Sequence, residues 1–200
     1  KTMDASYTES VWWAFHTLFQ KGLITEGFKS MHLCPRCGTT LSNFEVAQGY
    51  KDIKDFAVTV KLELVDEPKT FLLVWTTTPW TLPGNMAAAV NKDALYVTVK
   101  TPEGNVVVAK DRINILGENP DILFECKGEA FVGKSYKPPF DYYTKKDFDN
   151  KKNAWKVYHA DYVTMEDGTG LVHIAPAFGQ EDMELAQRNN IPLVQHVNGE

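Results

Sequence analysis

Three consecutive hydroxyl side chains, Thr76-Thr77-Thr78, follow the apolar run Phe71–Trp75 and lead into Pro79-Trp80-Thr81-Leu82-Pro83-Gly84-Asn85. Thr is a good strand residue, so the triplet alone could be ordinary β structure. Pro79 and Pro83 cannot donate to a ladder, however, and they stop pairing where the hydroxyls stand. Hydroxyls and main-chain amides at a strand end can bind a polar substrate and hold a water, each Thr offering one donor and two acceptor lone pairs. A second unusual stretch is Gly168-Thr169-Gly170-Leu171-Val172-His173-Ile174-Ala175-Pro176-Ala177-Phe178-Gly179-Gln180-Glu181-Asp182. A lone His on an apolar strand is more often a satisfied core residue, and an Asp such as Asp182 favours a helix N-terminus without further purpose. Together they place an imidazole beside the small residues Ala175 and Ala177, with a carboxylate suited to a cationic amino group.

Only three cysteines occur, and two form Cys34-Pro35-Arg36-Cys37, a spacing that fits one edge of a tetrahedral zinc site. Cys126 stands alone far downstream with no second ligand nearby. The pair therefore reads as half a zinc ribbon whose partners lie outside the chain, against the plain alternative of two reduced thiols. A redox CxxC would open a helix after a strand, whereas Gly38-Thr39-Thr40 follows here and reads as a knuckle turn.

The scaffold around these groups reads mostly as strands. Val11, Trp12, Phe15, Leu18 and Phe19 recur at helical spacing between Glu9 and Leu23, with Gly22 as a stop. That helix and the CxxC segment form a stalk, residues 1–48, ahead of a main domain at 49–200. Phe56–Leu64 alternates with period two, Phe71–Trp75 is a continuous apolar run for a central strand, and Ala94–Val99 and Val106–Ala109 flank the turn-prone Pro102-Glu103-Gly104-Asn105. Ile122–Glu125, Trp155–Val163 and Gly170–Ile174 are further strands, and Gln180–Asn190 is a short closing helix before Pro192. The lysines between Tyr142 and Lys156 read as an exposed loop, or more sharply as a phosphate contact for an RNA end. The fold expected is mainly β with peripheral helices, a β-barrel or sandwich in the α+β class.

Two hundred residues, 44% hydrophobic and 12% aromatic, suffice for one sizeable core. A net charge of -5 opposes a broad grip on nucleic acid, so any RNA contact should be local. No apolar run approaches the roughly 18 residues of a membrane span, and Lys1-Thr2-Met3-Asp4 has no signal-peptide core. A cytoplasmic monomer is expected.

The Thr-rich and His/Asp stretches, with Glu9-Ser10-Val11-Trp12-Trp13 and Cys34-Pro35-Arg36-Cys37-Gly38-Thr39-Thr40-Leu41-Ser42 ahead of them, resemble the editing insertion of the class I aminoacyl-tRNA synthetases for isoleucine, valine and leucine. The resemblance covers essentially the whole chain. The valine and leucine members carry an Arg directly before or after the proline of the Thr-rich peptide; Thr78-Pro79-Trp80-Thr81-Leu82-Pro83 has none, which favours the isoleucine type. The resemblance implies a β-barrel-like editing domain and hydrolysis of Val-tRNA(Ile). Asp182 matches the carboxylate that holds the α-ammonium of the aminoacyl group, and Thr76, Thr77 and Thr78 match the hydroxyl wall of the pocket; these four form the implied catalytic set. His173 matches the residue that limits side-chain size, Asn85 a polar position closing the same wall, and Trp80 and Ala175 complete the implied substrate-binding set.

Such a pocket answers a thermodynamic limit. One methylene is worth about 0.8 kcal/mol by area, and a site shaped for isoleucine cannot exclude valine. A second, hydrolytic sieve resolves this, and the isoleucine enzyme is the established example of it. Water would attack the ester carbonyl without a protein nucleophile, since no GxSxG elbow, HExxH or second metal pair is present. The partners implied are the aminoacylated 3′ end of tRNA(Ile) and the rest of a parent synthetase. Editing would require no cofactor; Cys34 and Cys37 would share a structural zinc in the full-length protein, and ATP would serve only the parent enzyme, because the class I phosphate-binding signatures are absent here. Two rivals stand beside this reading: an editing domain of a valine or leucine enzyme, and a non-catalytic zinc-ribbon and β-barrel module that binds an RNA end.

Overall fold

The computed structural model describes residues 1–198. Helix α1 spans Ala5–Gln20, four residues earlier at its start than the apolar spacing predicts, and ends at Lys21 and Gly22, the latter at φ +68°. A two-residue ribbon follows, β1 (Leu33–Cys34) paired antiparallel with β2 (Thr39–Thr40). Next comes the short helix α2 (Asn43–Gln48), which the sequence reading did not anticipate. Its signal was present: Ser42 accepts from the Glu45 N–H while the Glu45 carboxylate accepts from the Ser42 N–H, a complete capping box. Gly49 caps α2. No residue of 1–57 is buried.

Residues 58–174 form a curled, mixed sheet. Its strands are β3 (Val58–Glu63), β4 (Thr70–Thr76), β5 (Ala87–Val90), β6 (Leu95–Thr101), β7 (Gly104–Ala109), β8 (Asp121–Lys127), β9 (Lys156–His159) and β10 (Leu171–Ile174). They run in the order β8-β6-β7-β4-β10-β5-β9, with β3 on the other side of β4. β4 is the hinge of this arrangement. One of its edges pairs antiparallel with β3 along its whole length; the other pairs parallel with β7 at Thr70–Leu72 and parallel with β10 at Trp75. The central strand expected at Phe71–Trp75 is therefore present, and it ends one residue beyond Trp75, before Pro79.

Strand β5 escaped the sequence reading because Ala is a weak strand residue; Ala87, Ala88 and Ala89 are fully buried, small because both faces are packed. The alternation is strict: Ala88 and Val90 join an inner cluster with Leu62, Leu72, Tyr96 and Phe131, while Ala87 and Ala89 face an outer one with Ile174, Leu185 and Ala186. The inner cluster is the concave face of the sheet closing on itself. The outer cluster seats helix α3 (Gln180–Asn189), and a third cluster, built on Leu73, Val97, Val99, Val106 and Val108, lies under the 3-10 segment Lys110–Leu116. The expected strand Trp155–Val163 shortens to Lys156–His159, since Trp155 adopts φ +54° and the chain turns again at Asp161 and Tyr162. The sheet is a half-barrel with short peripheral helices, as the mainly β expectation had it.

In the lysine-bearing segment, Lys151 folds back so that its Nζ donates to the carbonyl of Thr144 at 2.9 Å. Among the described residues no helix is long and apolar enough to cross a membrane.

Candidate functional site

Parallel strands deliver their C-terminal ends to the same side of a sheet. Because β4 and β10 pair in parallel, with Trp75 opposite Val172, the two unusual sequence stretches leave the sheet together although nearly half the chain separates them. From β4 the chain runs through the hydroxyls into a 3-10 turn, Pro79–Gly84. From β10 it passes Ala175 to Gly179 and enters α3, whose third residue is Asp182. Between them lies a pocket of about 250 Å³ lined by Trp75, Thr76, Thr77, Thr78, Thr81, Val172, His173, Ala175, Phe178, Gly179 and Asp182.

Thr76 is buried, and its hydroxyl accepts the Thr78 N–H at 3.1 Å. The Thr76 and Thr78 hydroxyls lie 3.3 Å apart, while Thr77 and Thr78 are exposed at the mouth. Opposite them Asp182 Oδ2 accepts the Ala175 N–H at 2.8 Å, which ties the start of α3 to the end of β10. Gly179 makes this possible: a Cβ there would stand 3.1 Å from the Asp182 carboxyl carbon. Burial pushes the Asp182 carboxyl up to about 6, outweighing the Ala175 N–H that favours the anion, and the neighbouring Glu181 adds to the rise. A cation in the pocket would reverse much of that.

His173 is buried at the inner side of the pocket with both ring nitrogens occupied. Nε2 lies 2.9 Å from the Thr81 hydroxyl and Nδ1 2.9 Å from Asn85 Nδ2. Burial pushes the imidazole down to about 4, so it is neutral at physiological pH. Behind it Asn85 is itself held on three sides: its Nδ2 donates to the Ala87 carbonyl, its Oδ1 accepts from the Tyr136 hydroxyl at 2.7 Å, and its main-chain carbonyl accepts the Trp155 indole N–H at 3.1 Å.

Of the residues singled out from sequence, Thr76, Thr77, Thr78, His173, Ala175 and Asp182 share this one pocket. Asn85 does not line it but stands behind His173, and Trp80 points its ring to solvent, 60% exposed. Thr81, Val172 and Phe178 belong to the lining as well; all three lay inside the two marked stretches, and nothing in their types set them apart. Tyr136 and Trp155 carried no sequence signal, because their connection to Asn85 exists only across the barrel.

Cys34 and Cys37 lie at the ribbon turn, where the Gly38 N–H donates to the Cys34 carbonyl at 2.8 Å. The backbone N–H of Cys37, foremost, holds the Cys34 thiol below its usual range. Cys126 sits on β8 opposite Tyr96 and is not part of the ribbon. No group of three or more His, Cys, Asp or Glu side chains able to hold a metal occurs among the described residues.

The family model described as class I tRNA synthetases (I, L, M and V) matches residues 1–180. An isoleucine-tRNA ligase of Clostridium acetobutylicum is 43% identical over 199 residues, covering 100% of this chain and 19% of that protein. That of Clostridium novyi is 44% identical over 200 residues, again 100% of this chain and 19% of the relative. Among solved structures, GlLeuRS-CP1 superposes with TM-score 0.50 at 18% identity, covering 60% of this chain and 53% of that one. The P. knowlesi cytosolic leucyl-tRNA synthetase editing domain does so with TM-score 0.50 at 15% identity, covering 67% and 62%. The chain spans 19% of the length of these curated relatives, and it belongs to the class I tRNA synthetases of the isoleucine, leucine, methionine and valine group, with the fold of the leucyl-tRNA synthetase editing domain.

Proposed function

We propose that this chain edits mischarged tRNA by hydrolysing the ester of Val-tRNA(Ile) within an isoleucine-type synthetase. The observation that carries the reading is the meeting, in one small pocket, of the Thr76–Thr78 hydroxyls, the Asp182 carboxylate and the neutral His173 ring. Asp182 pairs with the α-ammonium of the aminoacyl group and thereby orients the ester. The hydroxyls of Thr76, Thr77 and Thr78 hold a water against the ester carbonyl and donate to the oxygen on which charge develops. His173 cannot serve as general base while both nitrogens are engaged and its proton affinity is low; it limits side-chain size instead. Ala175, fully buried, leaves room for the short valyl group.

The tRNA contact is confined to the aminoacylated 3′ end, in keeping with the acidic net charge, and the remainder of a synthetase supplies the grip on the tRNA body. Zinc held by Cys34 and Cys37 with two ligands from elsewhere would brace the ribbon, and no step of the hydrolysis passes through it. The alternative of a valine or leucine enzyme is disfavoured by the absence of Arg beside Pro79, and a module that merely binds RNA by the Asp182 carboxylate in the wall of the pocket, which would repel a phosphate.

The test is deacylation of Val-tRNA(Ile) and Ile-tRNA(Ile) by the chain at high concentration, with Asp182→Ala as control. Loss of the valyl ester alone, abolished by the substitution, is the expected result. Hydrolysis undiminished in Asp182→Ala would overturn the ammonium role, and equal hydrolysis of both esters would overturn the sieve.

A further inference from the structure

The hydrogen bonds behind the pocket admit only one arrangement of protons. The Ala87 carbonyl can only accept, so the Asn85 atom 2.9 Å from it is the amide nitrogen. The same nitrogen lies 2.9 Å from His173 Nδ1 and turns its second hydrogen toward it, so Nδ1 presents a lone pair. A neutral imidazole has a single N–H, which must then sit on Nε2 and donate to the Thr81 hydroxyl. The Thr81 hydroxyl in turn donates a hydrogen bond to the Thr78 carbonyl at 2.8 Å, on the peptide that carries the hydroxyl wall. At the far end Asn85 Oδ1 is satisfied by the Tyr136 hydroxyl, which is buried and kept neutral by that burial. A chain of donors runs from Tyr136 through Asn85, His173 and Thr81 to Thr78, with every link filled once.

Tyr136 is held in place independently of the pocket. Its N–H donates to the carbonyl of Trp155, whose own N–H donates to Met86 and whose indole donates to the Asn85 carbonyl. Trp155 sits at φ +54°, a conformation a bulky residue adopts only when its surroundings impose it, and such positions gather near functional sites. We propose that Tyr136 is a positioning residue for substrate selection: through Asn85 it holds the His173 ring in the Nε2–H tautomer and in one place, so that the ring meets the pocket as a fixed carbon-edged wall.

The inference rests on the editing reading for its functional half and on geometry alone for its structural half, and two measurements separate them. The first is the ring-nitrogen NMR signature of His173 at pH 7 in the unaltered chain and in Tyr136→Phe, which leaves Asn85 Oδ1 buried without its donor. The unaltered chain should show a single Nε2–H tautomer, and Tyr136→Phe a mixture. An Nδ1–H or protonated ring in the unaltered chain, or an identical ring signature in the folded variant, would overturn the relay whether or not any ester is hydrolysed. The second is the ratio of Ile-tRNA(Ile) to Val-tRNA(Ile) hydrolysis, which should rise about tenfold in Tyr136→Phe with kcat for the valyl ester nearly unchanged, the scale on which supporting hydrogen bonds act. A variant that loses activity on both esters alike, with the ratio fixed, would show that Tyr136 serves stability and not selection. If the unaltered chain hydrolyses neither ester, the editing reading fails while the ring signature still decides the relay. Trp155→Phe, which removes the indole N–H and one of its two rings but keeps an aromatic side chain, should shift the same ratio in the same direction and by less.

Discussion

At the scale of single residues, the site depends on how two ionisable groups are displaced from their usual ranges in the direction burial dictates. In the ammonium role proposed for it, Asp182 at about 6 has to give up its proton, so kcat/KM for the valyl ester should climb with pH through about 6 and flatten above it. Asp182→Asn should abolish that inflection along with most of the activity, and a pH–rate profile checks both. His173, at about 4, should contribute no inflection near neutrality. The raised carboxyl also has a consequence for stability. Between the unfolded value of 3.8 and about 6 the folded state binds the extra proton, so stability falls as pH rises through that window and the cost is fully present above it. Asp182→Asn, whose amide oxygen can still accept the Ala175 N–H, should therefore be more stable at pH 7 by on the order of 2 kcal/mol, solvent at the pocket mouth reducing the full effect. The gain should vanish below pH 4, which urea unfolding at the two pH values would show. His173→Ala opens the inner side of the pocket, and hydrolysis of Ile-tRNA(Ile) should rise about tenfold or more, the range one methylene commands, for which the isoleucine enzyme is itself the reference case.

At the scale of elements, the turn before β10 and the entry to α3 aim the pocket. Gly170 has φ +74°, and a Cβ on it would lie 2.3 Å from that of Ala109 at the end of β7, where the two strands meet along β4. Gly170→Ala therefore combines a left-handed backbone with a clash against a strand, and a loss of about 2–4 kcal/mol is expected in thermal or chemical unfolding. Gly179 differs, because its φ of -138° is open to any residue. Gly179→Ala should leave the melting temperature within a few degrees, while the crowded Asp182 carboxyl moves and KM for the valyl ester rises several-fold. The contrast between these glycines checks whether the element or the side chain it carries is being disturbed.

At the scale of the whole molecule, residues 1–57 contribute nothing to the buried core, and α1 leaves Trp12 and Trp13 66% and 70% exposed. Removal of residues 1–55 should leave the unfolding midpoint of the half-barrel nearly unchanged, since all three apolar clusters are built from Leu62 onward. A large drop on truncation would mean that the stalk braces the barrel. An apolar surface of this kind is typical of a segment that packs against other protein, in line with relatives in which this chain is 19% of the length.

The amino-acid sequence carried the strands with strong alternation or apolar runs, β3, β4, β6 and β7, the hairpin at Pro102–Gly104, and helices α1 and α3 to within a few residues, because burial on one face imprints a period that can be counted. It also marked both stretches that line the pocket, since prolines, glycines and repeated hydroxyls are locally unusual. It could not mark β5, whose alanines are small only because two layers press on them, nor the early end of the strand at Trp155, whose left-handed backbone is imposed by three bonds from other elements. The parallel pairing of β4 with β10 was decided by the tertiary structure, and with it the meeting of Thr76 and Asp182. The tautomer proposed for His173 likewise rests on tertiary contacts, because a proton's position depends on donors and acceptors gathered from Asn85, Thr81, Ala87 and Tyr136, and no local pattern records which of them will stand within 3 Å.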